Sequence, residues 1–371
     1  MRLLLLFLLS TMTFSSKAQS FTLFIGTYTG SGSKGIYVYR FNAANGMATL
    51  VSNTDSVSNP SYLAISKNGK YVYTVNETGD DVPGRVSAFE YNKATGKLTF
   101  INSQLTGGDH PCYVSVDKNN KWIAVANYTG GNVSVFPIDN NGALKPYAQL
   151  IQHSGSSVNK ERQEKPHVHA AVFSPDEHFL FTPDLGMDKI MIYEFNPSSQ
   201  QPLTPANPSF AEADKGNGPR HFTFHPNEKF AYLIEELTGT VAAYKYNNGH
   251  LEFLQRITTH PDDYKGEIGS ADIHVSPDGK FLYASNRGDE NTITIFSIDS
   301  SRGKLNLKGY QTTMGKTPRN FIIDPTGNFL LVANQETDNI VIFKRDKQTG
   351  LLQPTGKQIN TPKPVCLKMI N

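Results

Sequence analysis

Along this chain, apolar and polar residues alternate over short runs separated by turn residues, and the runs recur at a fixed distance. In one unit, Phe222 and Phe224 alternate with polar neighbours. A Pro226-Asn227-Glu228 turn follows, and then the continuous apolar run Phe230–Ile234. Period two with one apolar face predicts a half-buried strand, and the unbroken run predicts a strand buried on both faces. The pairs Leu63/Ile65, Val114/Val116, Ile273/Val275 and Phe321/Ile323 repeat the first strand, and Tyr71–Val75, Phe281–Ala284 and Phe329–Ala333 repeat the second. Third strands follow at Val133–Phe136, Ile293–Phe296 and Ile340–Phe343, each leading into a turn and a short outer strand. No stretch leaves room for long helices.

The turns anchor the repeat at Lys67, Lys118, Pro175, Pro226, Pro277 and Pro325. Successive anchors lie roughly fifty residues apart, a spacing that signals stacked supersecondary units. At one offset after each come Asn76, Asn127, Asp184, Glu235, Asn286 and Asn334. Four antiparallel strands in such a unit make a propeller blade. Six anchors give six inner hairpins. The segment Pro364–Met369 resembles a first strand without a partner, and Phe21–Gly26 a second strand without a first. Together they predict a seventh blade that closes the ring and removes an exposed edge. The expected fold is therefore all-β: a single seven-bladed propeller over residues 19–371, its ring closed by the two chain ends.

Strand direction sorts the polar residues. The start of each first strand and the end of each second lie together, opposite the anchor turn. The strand-start column holds Ser61, Cys112, His169, Arg220, Ala271, Arg319 and Val365. The residue after the strand-end column gives Glu77, Tyr128, Leu185, Glu236, Arg287 and Gln335, and beside the starts lie Tyr62, Tyr113, His221, Asp272 and Asn320. First strands line the central channel, so these residues are expected to form a shallow cup at its mouth. The strand-end asparagines also suit turn caps, whereas a glutamate in that column has no such use. His167 and His169 could offer two imidazoles, but a metal pair is not expected there. His225 and His178 fall at the turn end and His153, His250 and His260 in connections, where surface positions are expected.

Composition narrows the function. Lys+Arg 35 against Asp+Glu 33 gives net charge +2, which excludes a nucleic-acid binder led by phosphate contacts. Two cysteines exclude a disulfide scaffold and a cysteine-rich metal site. Cys112 and Cys366 belong to blades that are not neighbours, so no disulfide is expected. P-loop, Gly-x-Ser-x-Gly and His-Glu-x-x-His motifs are absent. Met1-Arg2, the apolar run Leu3–Leu9 and the polar stretch ending Ser16-Lys17-Ala18 read as a signal peptide (residues 1–18) cut after Ala18, implying a periplasmic or secreted protein. That run is too short to span a bilayer, and no later one is apolar enough.

The segment Gly218-Pro219-Arg220-His221-Phe222 with His225-Pro226, and then Tyr232–Leu237, resembles the 6-phosphogluconolactonase-like family of seven-bladed propeller lactonases, to which muconate-lactonising enzymes are related. Ser285-Asn286-Arg287-Gly288 and Pro183–Asp188 carry the same likeness, which extends over the whole chain after residue 18. The resemblance implies a hydrolase opening a sugar lactone or phospholactone, with a His, two Arg and a Glu at the channel mouth. The matching positions are His169, Arg220, Glu235 or Glu236, and Arg287. Ester cleavage needs a base for water and a positive site for the oxyanion. His169, Glu235 and Arg220 are accordingly expected to be catalytic, with Arg287, Glu236, His167, His221 and Asn127 binding substrate. A small-molecule lactone or organic-acid substrate is the expected partner, with no metal, no cofactor, no nucleic acid, no membrane span and a monomeric state. The alternatives are a muconate-type lactonising cycloisomerase, a calcium- or zinc-dependent lactonase and a non-catalytic binding propeller.

Overall fold

The structure, a computed structural model, describes residues 19–371 except 31, 55 and 56. The expected signal segment, residues 1–18, lies outside the described residues. Seven four-stranded antiparallel sheets stand around a central channel, each a blade. The first blade joins Pro364–Ile370 to Ser20–Thr27, Tyr37–Asn42 and Met47–Asn53. Its inner strand comes from the C-terminus, with Leu23 opposite Met369 and Ile25 opposite Leu367, so the chain ends close the ring as expected. Among the described residues the one helical element is a 3-10 turn at Gln335–Thr337.

Second strands are buried from end to end. Phe281–Asn286, Phe329–Asn334 and Phe230–Glu235 expose no residue. Neighbouring blades pack face to face over them: Tyr232, Ile234 and Ala243 of one blade meet Leu282, Ala284 and Phe296 of the next. Each such large apolar side chain contributes roughly 1.5–3 kcal/mol. Polar ends of buried rings find partners across the seam. Tyr232 donates to the carbonyl of Gly303 at 3.1 Å, and Tyr283 to that of Gly350 at 2.7 Å.

Those two glycines also explain the tight blade contact. Both adopt positive φ, and a Cβ at either would run into the ring of Phe230 or Phe281, the aromatic that opens the preceding blade's second strand. Only glycine supplies the turn and the close approach together. The anchor turns are closed by side chains as well. Ser276 Oγ donates to Asp278 at 2.6 Å and accepts from Phe281 N at 3.1 Å, and Ser174 repeats the arrangement with Asp176 and Phe179.

One local irregularity shapes the channel mouth. In the blade containing Pro219–Phe224, Pro219 pairs with Glu235 and Phe222 with Leu233, so two residues oppose one. This bulge recurs between Ser270 and Ile273 and again between Pro318 and Asn320. It lets Arg220 and His221, adjacent in sequence, both leave the alternating pattern and project toward the channel.

Candidate functional site

The bulged strand starts and the ends of the second strands meet at one mouth of the channel. Glu236 is the centre of the cluster there. Its Oε2 accepts from Arg220 Nε at 2.7 Å and lies 3.1 Å from Arg287 Nη2. Its Oε1 accepts from Arg162 Nη2 at 2.7 Å. His169 Nε2 stands 3.8 Å from the same Oε2. Burial works to raise the Glu236 carboxyl's pKa, but Arg287, Arg220, His169 and Arg162 outweigh it and hold it well below the usual carboxylate range. Glu236 is therefore a fixed anion.

The arginines are held in place individually. Arg220 is 1% exposed and its Nη1 donates to the carbonyl of Ala271 at 2.5 Å. Arg287 Nε donates to the carbonyl of Gly269 at 2.8 Å. Burial lowers the Arg287 guanidinium to about 10, against the pull of Glu236, so it stays charged at neutral pH. Arg162 comes from the long connection between the third and fourth blades and also donates to Tyr128 Oη at 3.2 Å.

His169 is pushed well below its ordinary value, first by burial and then by Arg220. It is a neutral imidazole at pH 7. Its ring packs edge-on against Tyr128 and His221, and its Nδ1 lies 3.6 Å from Cys112 Sγ. Burial raises the Cys112 thiol, so it stays protonated. His221 is lowered to about 4 by burial and Arg220, although Asp272 opposes this from 2.8 Å. Its ring lies between those of Tyr62 and Tyr113 on one side and His169 on the other.

His167 also reaches this cluster. His167 and His169 flank Val168, which bridges Asp184, so they lie two residues apart on one face and both imidazoles meet Tyr128. His167 stacks on that ring at 4.5 Å and approaches Glu164 at 3.2 Å. The structure thus gathers His169, Arg220, Glu236, Arg287, His167 and His221.

Two expected cup residues turn away from it. Glu235 has no exposed surface and is held by Arg256 Nε at 2.8 Å and Thr240 Oγ1 at 2.5 Å. Asn127 is equally buried, with its amide on Asn132 Oδ1 at 2.7 Å and the carbonyl of Thr106 at 3.3 Å. Their column clips the incoming crossover or outer strand to the blade. Asn286 does this through the carbonyl of Thr259, Asn334 through that of Thr313, and Asp184 through His153. The column beside it faces the mouth.

Three histidines expected at the surface are buried instead. His153 sits between Asp184 and Tyr193, His225 bonds the carbonyl of Gly279 at 2.8 Å, and His260 pairs with Glu290. Connections here fold over the sheet ends, so a turn position does not imply exposure. Both cysteines are free, as expected.

Arg162 and Tyr128 join this cluster although the sequence singled out neither. Tyr128 stands in the mouth column, but Arg162 lies outside the repeat and carries no periodic signal. Among the described residues, no group of three or more His, Cys, Asp or Glu side chains is arranged to hold a metal ion.

The chain is 43% identical over 342 residues to a 6-phosphogluconolactonase of Formosa agariphila, covering 91% of this chain and 96% of that one. It is 38% identical over 351 residues to a 6-phosphogluconolactonase of Bacillus subtilis, covering 94% and 98%. The solved structure of a periplasmic gluconolactonase of Pseudomonas aeruginosa superposes with TM-score 0.91 at 36% identity, over 95% of this chain and 99% of that one. Residues 22–369 match the lactonase, 7-bladed β-propeller family, and the chain belongs to that family.

Proposed function

We propose that this protein is a metal-independent lactone hydrolase that opens a sugar lactone, phosphorylated or not, by attack of water in the cup. The observation that carries the reading is the Glu236 cluster: one fixed carboxylate held by three guanidinium groups beside a neutral imidazole. Relatives named 6-phosphogluconolactonase and gluconolactonase support the substrate class.

His169 takes a proton from water as the hydroxyl oxygen bonds to the lactone carbonyl carbon. Arg220 and Arg287 face the oxyanion that forms, and their donors are already oriented by Glu236 and by backbone carbonyls. Collapse breaks the acyl carbon–oxygen bond. The departing ring oxygen takes the proton from His169, and the new carboxylic acid releases its own proton to solvent, leaving a hydroxy acid whose carboxylate rests on the arginines. Glu236 orients the arginines and stabilises the imidazolium during the step. The incoming anionic charge offsets the arginine field that depresses His169, so the imidazole becomes a better base once substrate is bound.

A cleavable signal at residues 1–18 would export a single propeller domain, residues 19–371, acting as a periplasmic or secreted monomer. The test is initial-rate hydrolysis by purified protein after chelation, with spontaneous opening subtracted. Glucono-δ-lactone and 6-phosphogluconolactone form the panel. Opening of either well above background is expected, and background rates on both would remove the reading.

A further inference from the structure

The wall of the cup opposite Glu236 carries a second set of charged groups that the hydrolytic step does not use. Arg319 starts an inner strand, Glu77 follows the end of a second strand, and Tyr28 follows Ser20–Thr27. They come from three consecutive blades. Tyr28 Oη donates to Glu77 Oε1 at 2.8 Å, and the Arg319 guanidinium lies over the Tyr28 ring, 5.4 Å from its centroid. Arg319 Nη2 is 3.7 Å from Glu77 Oε2, too far for a hydrogen bond.

Arg220, Arg287 and Arg162 each donate to Glu236 or to a backbone carbonyl. Among the described residues Arg319 donates no hydrogen bond, and Glu77 Oε2 is buried without a hydrogen-bond partner, its ion-pair contact with Arg319 being 3.7 Å. Arg319 nevertheless keeps 18% side-chain exposure. A donor fork and a carboxylate oxygen at one mouth, neither hydrogen-bonded, fit a ligand that brings an anion and a hydroxyl.

We propose that Arg319 is the specificity-determining residue for a terminal anion, phosphate or carboxylate, on the substrate's polyhydroxylated tail, with Glu77 Oε2 accepting from a neighbouring hydroxyl. This rests on the lactone reading of the cup. The lactone carbonyl lies by His169 and Arg220, and the tail crosses to the Arg319 wall. A planar guanidinium matches either anion in a bidentate way.

The test is calorimetric binding of three ring-opened acids: 6-phosphogluconate, glucarate and gluconate. Wild type is expected to bind at least one of the first two ten or more times tighter than gluconate. Which one is preferred separates phosphate from carboxylate. Arg319→Ala should reduce that ratio to about two or less, and Arg319→Lys should restore part of it. Glu77→Gln should weaken all three acids alike and keep the ratio. Thermal melts accompany each variant, and the wild-type ratio stands even where a variant does not fold. No tail-anion preference in wild type, no binding of any acid, or a preference that survives Arg319→Ala overturns the proposal. An Arg319-dependent preference without lactone turnover would instead overturn the hydrolase reading and leave this subsite standing.

Discussion

Glu235 and Glu236 are consecutive in the chain and serve opposite sides of the blade. Glu235 is sealed against Arg256 at 2.8 Å, and Glu236 is gripped by Arg220 at 2.7 Å in the channel mouth. The end of a strand divides them, since neighbouring side chains point to opposite faces. Glu235 holds the outer strand to its blade, while Glu236 sets the field of the cup.

Their substitution should separate stability from activity. Glu235→Gln leaves Arg256 without its buried counter-charge and should cost about 3 kcal/mol. Turnover per folded molecule should stay within about threefold of wild type. Glu236→Gln should lower kcat/KM by at least about hundredfold, because the arginines lose the group that orients them. Urea unfolding and initial rates measure both. Equal activity losses in the two variants would refute the division of labour.

Arg220 should not tolerate lysine. Its Nε and Nη1 reach Glu236 and the Ala271 carbonyl together, and an ammonium group cannot span both. Arg220→Lys should lose roughly a hundredfold or more in kcat/KM, seen in lactone initial rates. Activity close to wild type would show that charge alone suffices at this position.

Acid should act on stability through His221. Its folded value is about 4, depressed by burial and Arg220, whereas an unfolded histidine titrates near 6.5. The unfolded chain therefore takes the proton first as pH falls. Stability is full above about 6.5 and falls between about 6.5 and 4, by on the order of 3 kcal/mol at most. Denaturant midpoints from pH 7.5 to 4 should show the slope, and His221→Asn should flatten it. His169, also depressed, contributes a loss of the same sign below about 6.5. An unchanged slope in His221→Asn would assign it elsewhere.

Ring closure should be indispensable. Removing residues 364–371 strips the inner strand from Ser20–Thr27 and exposes its edge along the channel. The truncated chain should lose the cooperative melting transition or aggregate. A soluble truncation melting within a few degrees of the full chain would contradict this.

Most of the fold was legible because the repeat carries its own phase. The anchor turns and the buried second strands fix blade number, strand order and the closing strand. The cup was legible as two columns at one channel mouth. The choice within them was not, because it depends on where alternation fails. The bulge after Pro219 turns both Arg220 and His221 inward. His167 lies two residues before His169 and so shares its face, which brings both onto the same tyrosine. Arg162 stands on a connection outside the repeat, so periodicity could not find it. His153, His225 and His260 were misplaced for a related reason: connections fold over sheet ends, and hydrogen bonds satisfy the imidazoles there.

The account rests on a neutral His169 acting as base in a cup that opens lactones. The direct measurement is the proton-release rate of His169→Ala against wild type on the better of the two sugar lactones, in chelator and at equal folded concentration. The account predicts a fall of at least about hundredfold, with the melting temperature close to wild type. A rate within threefold of wild type would contradict it.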